Sequence, residues 1–514
     1  MLFFINKINR IKTFSQLPVA MMLSIALGGC DVASTDSGDA TGPDPGVFDY
    51  PIAYVKRPIY VDNNANPVQE DIRDPLLFSG GGDVYLKSRS SASAAEINIT
   101  SAVTLGVGDV KDIDVSYEGT KLLFSLRLED PNPNDNDTPS WNVYEYDLDN
   151  NLLRRVIADD TNAEAGNDIA PHYLADGRIV FTSTRQRQSR EVITNEGISG
   201  ITKAPFSALD DSRREKALVL HVMNADGSDI QQISFNQSHD LDPVVLSSGE
   251  ILFSRWDGMN SRNAVSLYKT TPDGTSRQMV YGVHDVSHDT GTGNATVEFI
   301  KPRELNDGKV MVIARPFSGT FGGGNIVIID IENYIDYNQP ITSQMGLTGP
   351  AHNAATINNV ITDGTISKAG YYHAAYPLWD GTDRMLVSKG LCQLDINTLT
   401  RPCIEPYLSD VNAQALPPAY GIWIYDRGSH TEKPVVTAEQ GMMISDVVAM
   451  QLRSLPVYIS DKAAPTELNA TWIAEDVGVL HIRSVYDFGD SLFNGCFLTD
   501  CTNAVNINNV LDFA

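Results

Sequence analysis

Histidine and aspartate lie close together in two short stretches of the sequence, and a third stretch adds another histidine. These stretches read SHDLDP from position 238, HDVSHDTG from 284 and GYYHAAYP from 370. The candidate residues in them are His239, Asp240, Asp242, His284, His288, Asp289 and His373. Imidazole nitrogens combined with carboxylate oxygens suit zinc or another divalent ion. A metal or ligand site around His239, His288 and His373 is therefore one hypothesis for function.

The alternative to this hypothesis is a structural role for these residues, and the sequence favours the structural role. Asp240 comes shortly before a proline of a repeated motif, where an aspartate commonly caps a turn through its own backbone. The two histidines of HDVSH are four residues apart, which would place them on one face of a helix. That segment is rich in Gly, Asp and Thr, however, and is typical of a loop.

Other motifs that could do chemistry are weaker. The stretch DPNPNDNDTPSW at 130–141 is rich in oxygen ligands and could hold Ca²⁺, but it lacks the glycine and glutamate of an EF-hand loop. A polar hairpin loop is the favoured interpretation. The sequence contains no G-x-S-x-G nucleophile motif, and its glycine-rich stretches do not continue into a phosphate-binding loop. We therefore assign no catalytic residue, and the sequence favours a protein that is not an enzyme.

A repeated sequence motif predicts the strands and turns that must position these residues. GNDIAPHYLADGRIVFTSTR, from 166, and SHDLDPVVLSSGEILFSRWD, from 238, share Asp, Pro, Leu, Gly, Ile and Phe at matching places. A strand, a tight turn at glycine and an alternating apolar strand make a β-hairpin. Similar hairpins have their turn glycines at 119, 177, 249, 308 and 381. Each interval can hold a four-stranded sheet, so the sequence predicts an all-β fold, a β-propeller.

The number of blades follows from counting these repeats. Five repeats and the leading segment 51–101 predict six blades, with seven as the alternative. The stretch MMISDVVAMQLRSLPVYIS, from 442, is a candidate for the strand that closes the ring. We place the propeller at 48–462. Residues 463–514 then form the start of a second β domain or a short C-terminal appendage.

The first residues are typical of an export signal. Residues 1–29 combine Lys7, Arg10 and Lys12 with an apolar stretch, and the sequence LGGC, which resembles a bacterial lipobox, ends at Cys30. We expect Cys30 to be lipidated and 30–47 to be a flexible tether. Asp31 favours retention at the inner membrane facing the periplasm, with the outer membrane as the alternative. No covalent haem is expected, because the sequence has no C-x-x-C-H motif.

The net charge limits the possible partners, and the cysteine content bears on the redox compartment. A net charge of −27 without a basic cluster makes nucleic-acid binding improbable. The four remaining cysteines are Cys392, Cys403, Cys496 and Cys501. In an oxidising compartment they favour the pairs Cys392–Cys403 and Cys496–Cys501, although four cysteines allow three pairings and a structural metal site is a rival.

The hairpin text VMNADGSDIQQIS with P-x-x-L-x-x-G-x-I-x-F resembles the TolB-type, WD40-like (PD40) propeller repeat. Further blocks, including PIAYVKRP, SHDTGT and VLHIRSVYDF, resemble the alpha subunit family of hydrazine synthase. That resemblance implies a six-bladed propeller. It implies haem chemistry only for chains with C-x-x-C-H motifs, which this sequence lacks.

Three functions therefore stay open. A membrane-anchored propeller that binds an envelope protein or a ligand is the favoured one. The alternatives are the propeller portion of a periplasmic redox enzyme, with its haem domains missing or on another chain, and a metal-dependent hydrolase that uses the histidine loops.

Overall fold

The computed structural model of the chain is built almost entirely of β-strands. It describes residues 46–62, 64, 66–135, 138–185, 217–236, 238–259, 262–284, 287–289 and 294–462. The helices within these residues are single turns: α1 (Ser101–Thr104), α2 (Asp160–Ala163) and two 3₁₀ turns (Thr342–Gln344 and Tyr407–Ser409). Among the residues that the structure describes, no helix is both long enough and apolar enough to cross a bilayer.

Six antiparallel sheets form the blades, numbered here along the chain. The first three blades consist of the following strands. Blade 1 has β1 (Ile52–Pro58), β2 (Asp83–Lys87) and β3 (Glu96–Asn98); blade 2 has β4 (Asp109–Val115), β5 (Lys121–Arg127), β6 (Asn142–Asp147) and β7 (Leu152–Arg155); blade 3 has β8 (Asp168–Tyr173), β9 (Ile179–Ser183), β10 (Val219–Met223) and β11 (Gln231–Gln232).

The next two blades and two small hairpins follow. Blade 4 has β12 (Asp240–Val245), β13 (Ile251–Met259), β14 (Arg262–Thr270) and β15 (Gln278–Tyr281), followed by the hairpin β16 (Ser287–Asp289) and β17 (Asn294–Thr296); blade 5 has β18 (Glu298–Glu304), β19 (Val310–Arg315) and β20 (Asn325–Ile329), then the hairpin β21 (Tyr334–Asp336) and β22 (Gln339–Pro340), then its outer strand β23 (His352–Ala354).

The last blade and the closing strand complete the ring. Blade 6 has β24 (Tyr371–Pro377), β25 (Arg384–Ile396), β26 (Leu399–Pro402), β27 (Gln414–Asp426) and β28 (Thr431–Val436), and β29 (Met442–Ala449) returns to pair with β1 as the inner strand of blade 1. The inner strands contact one another in the closed order β29, β4, β8, β12, β18, β24. The prediction of six blades is confirmed, and the alternative of seven is wrong.

The repeated hairpins form because glycine permits the turn that each requires. Gly249, between β12 and β13, has a φ of 85°, and Gly177 occupies the same place in blade 3 with a φ of 86°. Side chains on both faces of the returning strand are buried, as Phe253 and Leu252 show. Both faces are buried because each blade is covered by a neighbour on either side.

The two faces of the propeller differ. The inner strands all run in one direction, so the short turns after them lie on one face, which we call the turn face. The connections between second and third strands lie on the opposite face, which we call the loop face. The described connections there include 59–82, 128–141 and 316–324. The loop face therefore carries the longer and more varied segments.

One hairpin projects from the loop face. Within blade 6, β25 and β27 each have 13 residues and continue past the inner strand, where β26 pairs with β25. The structure joins Cys392 and Cys403 by a disulfide across this extension, with the Cα atoms 5.6 Å apart. Cys496 and Cys501 lie outside the described residues.

Candidate functional site

A ring of β-bulges surrounds the central channel. Each inner strand contains one extra residue relative to its neighbouring strand, and the register shifts fall at Asp112, Ala170, Asp242, Lys301, His373 and Ser445. Four of these residues, Asp112, Ala170, Asp242 and Lys301, have φ values between 49° and 59°. Left-handed backbone is costly for residues other than glycine, and bulges often redirect a side chain next to a functional site. We call this set, together with Asp446, the bulge ring.

The charged members of the bulge ring contact one another. Lys301 Nζ lies 3.1 Å from Asp446 Oδ1 and donates to the Ser445 carbonyl oxygen at 3.0 Å. Asp242 Oδ2 accepts from the backbone N–H of Lys301 at 2.9 Å, and Asp112 Oδ2 accepts from that of Ala170 at 3.2 Å. Two of the aspartates therefore fix the backbone of the next blade.

The pKa values of two of these carboxyl groups shift in opposite directions, because their charged neighbours differ. Burial raises the pKa of Asp242, and the neighbouring charge of Asp112 adds to this effect. Burial also opposes ionisation of Asp446, but the Lys301 ammonium outweighs it and lowers the pKa of Asp446 to about 2. The ring thus combines a firmly ionised carboxylate with one that holds its proton more readily.

A segment of blade 1 covers the channel on the loop face. We call residues 69–77 the strap. Its backbone is held by side chains of other blades: Arg315 Nη2 donates to Glu70 O at 2.7 Å, Trp141 Nε1 donates to Leu76 O at 3.1 Å, and Lys111 Nζ donates to Pro75 O. The N–H of Ile72 also donates to Phe317 O at 3.0 Å. The strap is thereby fixed to blades 2 and 5.

A cavity of about 120 Å³ lies between the strap and the bulge ring. Its lining combines charged groups with aliphatic side chains, including Ile169, Leu241 and Ile300. A smaller cavity of about 30 Å³ lies on the other side of the ring and is lined in part by Ala170, His172 and Arg303. The bulge ring therefore separates two cavities within the described part of the channel.

His373 connects the strap to the ring. Its Nε2 lies 3.4 Å from Glu70 Oε2, and its Nδ1 lies 2.7 Å from Ser445 O and 3.2 Å from Lys301 Nζ. Burial opposes ionisation of Glu70, but the hydrogen bond with His373 and the charges of Arg57 and Arg315 hold its pKa well below the usual range. His373 therefore lines the cavity with both of its ring nitrogens facing protein groups.

A second polar cluster lies nearer the turn face. His172 Nδ1 is 3.2 Å from Asp114 Oδ2, and Arg303 Nη1 is 3.4 Å from Asp114 Oδ1. Burial opposes ionisation of Asp114, but these neighbours hold its pKa well below the usual range. The Asp114 carboxylate already has two partners, so we interpret this cluster as a structural element that closes the channel.

His239 lies apart from the cavity and is fully occupied by backbone groups. Its Nδ1 accepts from the N–H of Leu218 at 3.0 Å, so Nε2 carries the hydrogen that faces Arg73 O at 3.2 Å. Burial lowers the pKa of His239 to about 3. Its contacts join blade 3 to the strap. No lone pair is left for a metal ion in this arrangement.

The other predicted site residues are dispersed. Asp240 contacts Arg255 at 3.4 Å and accepts from Ser234 Oγ. The backbone N–H of His284 donates to Asp336. His288 and Asp289 belong to β16, and their side chains lie outside the described part. Within the described residues, no three His, Cys, Asp or Glu side chains are grouped to hold a metal ion. The Zn and Ca²⁺ hypotheses stay untested.

Sequence reasoning selected Asp242 and His373 but missed Glu70, Lys111, Lys301 and Asp446. A signal was present for one of them. The residue before the repeat proline is the bulge residue in Ala170-Pro171, Asp242-Pro243 and Lys301-Pro302. The strap residues carry no repeated pattern, so nothing local could have indicated them.

The fold and this site define a six-bladed β-propeller with a polar cavity inside a channel that a strap covers. Hydrazine synthase from Kuenenia stuttgartiensis is a similar solved structure, with a TM-score of 0.53 and 16% identity over 81% of this chain and 48% of that chain. The chain thus spans about half the length of that neighbour.

Weaker similarities extend to an oligogalacturonate lyase in complex with manganese and to a puromycin-hydrolysing peptidase of Mycobacterium tuberculosis. Both have a TM-score of 0.34, at 11% and 10% identity; the lyase match covers 76% of this chain and 81% of that chain, and the peptidase match 74% and 45%. No protein-family model and no curated protein matches the sequence. At 16% identity, the similarity to hydrazine synthase establishes the fold alone.

Proposed function

We propose that the chain is a lipid-anchored protein of the bacterial envelope whose propeller binds a protein partner through its loop face. The observation that carries this proposal is the hairpin that projects from the loop face of blade 6. Propellers use connecting loops on one face of a rigid scaffold for recognition, and here the longer described connections share one face with that hairpin.

The projecting hairpin has the properties of a docking element. Leu394 and Ile396 are buried beside the disulfide, so the hairpin has a small core of its own. It nevertheless exposes apolar side chains, namely Leu391, Leu399, Ile404 and Val411, of which Val411 is 95% exposed. An ordered element that leaves apolar side chains in water is typical of a surface covered by another protein.

The anchor in this proposal is Cys30, which resembles a lipobox cysteine. A tether between Cys30 and the first strand would let the loop face approach a neighbouring envelope protein. The net charge of −27 disfavours anionic lipid headgroups and nucleic acids as the surface that is bound. A protein with its own apolar patch is therefore the partner class that fits.

The decisive experiment is capture of the partner from envelope extract in mild detergent. The full chain is compared with Ile404→Asp/Val411→Asp and with Leu152→Asp, an exposed leucine in the outer strand of blade 2 that serves as the matched control. We expect wild type and L152D to retain one stable partner that the double variant loses. Equal recovery by all three chains, or no partner with wild type, would refute the proposal.

The anchor is tested separately by Cys30→Ser. Mass spectrometry should find diacylglycerol on the Cys30 thiol, and the variant should move from the membrane fraction to the soluble fraction. If the wild-type chain carries an unmodified N-terminal segment, the lipoprotein part of the proposal fails while the docking part still stands.

A second candidate function rests on the similarity to hydrazine synthase in fold. In that case the propeller would serve a redox enzyme whose c-type haems lie on another chain. Purification from native membranes would then yield a complex with the Soret absorbance of haem. A complex with a haem-free spectrum would remove this candidate.

A further inference from the structure

The cavity under the strap has an acidic side built by two carboxylates. Asp112 and Asp242 occupy the bulge ring on either side of Ala170, and both line the cavity. Asp242 accepts one hydrogen bond, from the Lys301 backbone, and Asp112 accepts from the Ala170 backbone and from Ser125 Oγ at 3.3 Å. Neither makes an ion pair within the described part of the chain. Two desolvated carboxylates in this position match a group with several N–H donors.

The same cavity has a basic side built by Arg57 and Lys111. Arg57 Nη2 pairs with Asp109 Oδ2, and its side chain is only 8% exposed. Its Nε has no hydrogen-bond partner among the described residues, which is an expensive condition for a guanidinium N–H. Lys111 is held 4.5 Å from the centre of the Trp141 ring and donates to Pro75 O. Its ammonium has three N–H groups, so it can donate further.

The remaining walls combine aliphatic side chains with further charged groups of the strap and the bulge ring. Ile72 of the strap and Ile169, Leu241 and Ile300 of the inner strands line the cavity. A volume of about 120 Å³ is somewhat smaller than an apolar cavity of about 150 Å³ that holds benzene. An aromatic side chain with its own backbone groups would exceed this volume, whereas a short aliphatic molecule fits it.

We propose that this cavity binds a small zwitterion, a short aliphatic α-amino acid of the size of alanine or valine. Its ammonium lies between Asp112 and Asp242, and its carboxylate faces Arg57 Nε and Lys111. Its side chain contacts Ile169, Leu241 and Ile300. The binding gives the lone N–H of Arg57 an acceptor and places one positive charge between the two carboxylates. This proposal is independent of the partner on the loop face.

Isothermal titration calorimetry on the purified full chain at pH 7 tests the ligand class. The probes are glycine, alanine and valine, with propylammonium, propionate and phenylalanine for comparison. We expect binding of alanine or valine, and at least about tenfold weaker binding of propylammonium and of propionate, because each lacks one of the two charged hydrogen-bond sets. Phenylalanine should not bind. No binding by any amino acid, or equal binding by propylammonium and alanine, would overturn the proposal.

Asp242→Asn tests the location of the site. Asparagine tolerates the left-handed backbone and still accepts from Lys301, but it removes the charge. We expect at least a tenfold loss of affinity, since a charged hydrogen bond is lost. The matched control is Asp229→Asn, an exposed aspartate with a similar φ of 52° in blade 3, which should bind as wild type does.

Ala170→Asn is the second variant and covers the case in which Asp242→Asn fails to fold. It keeps the left-handed backbone and places an amide next to the carboxylate of Asp112, which accepts from the backbone N–H of this residue. Loss of binding with an unchanged unfolding midpoint supports the site. Wild-type affinity in either folded variant would show that the amino acid binds elsewhere, and the proposal would fail.

Discussion

The carboxylate of Asp242 and the backbone N–H of Lys301 are joined by a 2.9 Å hydrogen bond that connects blade 4 to blade 5. Both residues have left-handed φ values, 49° and 50°, and both are bulge residues of their inner strands. Asp112 and Ala170 make the equivalent bond between blades 2 and 3. The charged side chains that line the channel therefore also hold the blades in register, so the site and the scaffold share residues.

Asp242→Ala should destabilise the propeller. The variant leaves the buried N–H of Lys301 without an acceptor, which costs about 1–3 kcal/mol. Urea denaturation should show this loss as a lower midpoint. Asp242→Asn is the control, because it retains an acceptor and should stay within about 0.5 kcal/mol of wild type. Equal stability of the alanine and asparagine variants would mean that the bond between blades contributes nothing.

The architecture could be predicted because each blade repeats the same local chemistry. A turn glycine such as Gly249, with apolar residues alternating after it, defines a hairpin without reference to any other part of the chain. The stretch from 442 was a candidate for the strand that closes the ring, and β29 does pair with β1 there. Local patterns therefore determined the number of blades.

The site could be predicted only in part. Asp242 lies in the repeat and was selected as a candidate, whereas Glu70 contacts His373, which is 303 residues further along the chain. The strap is positioned by contacts such as that between Arg73 and His239, which are distant in sequence. No periodic pattern encodes such contacts. The hypothesis of a site around His239 also did not anticipate that this imidazole is buried and that backbone groups occupy both of its nitrogens.

The disulfide of the projecting hairpin should stabilise that element locally. Cys392 and Cys403 are separated by 11 residues, and closing a loop of this size is worth about 2–3 kcal/mol in the chain-entropy model. The double variant Cys392→Ser/Cys403→Ser should show faster hydrogen exchange in 391–413. Exchange in β19, at the core of blade 5, should not change. Faster exchange throughout the propeller would contradict a local role.

Acid should destabilise the protein through His239. The unfolded chain binds a proton on this residue below about pH 6.5, whereas the native imidazole does so only near its pKa of about 3. Stability is thus fully present above pH 6.5 and is lost as the pH falls towards 3, at about 1.4 kcal/mol per pH unit.

His239→Asn should remove that dependence. Urea denaturation at pH 7, 6, 5 and 4 should show that the variant is less stable than wild type at pH 7. Its free energy of unfolding should fall less steeply as the pH is lowered, because unfolding takes up one proton fewer. His430→Asn, at an exposed turn position with a φ of 57°, is the control and should follow the wild-type slope. Parallel curves for wild type and the His239 variant would show that His239 is protonated equally in both states.

Two turn glycines of identical role should differ in their response to alanine. Gly177 and Gly249 have φ values of 86° and 85°, so Gly→Ala costs about 1–2 kcal/mol of backbone strain at either position. A methyl group at Gly177 meets nothing, whereas at Gly249 it would overlap the carbonyl oxygen of Val457.

The segment 451–462 crosses the turn face at that point, where the N–H of Val457 donates to Ser247 O at 2.9 Å. Gly249→Ala should therefore break this contact and release the segment, in addition to the strain that both variants share. Limited trypsin digestion should cut after Arg453, whose side chain also donates to Val115 O, faster in Gly249→Ala than in Gly177→Ala. If the two variants are cut at the same rate, the turn of blade 4 does not hold the segment, and its position depends on Arg453 and on the ion pair between Arg178 and Asp461 instead.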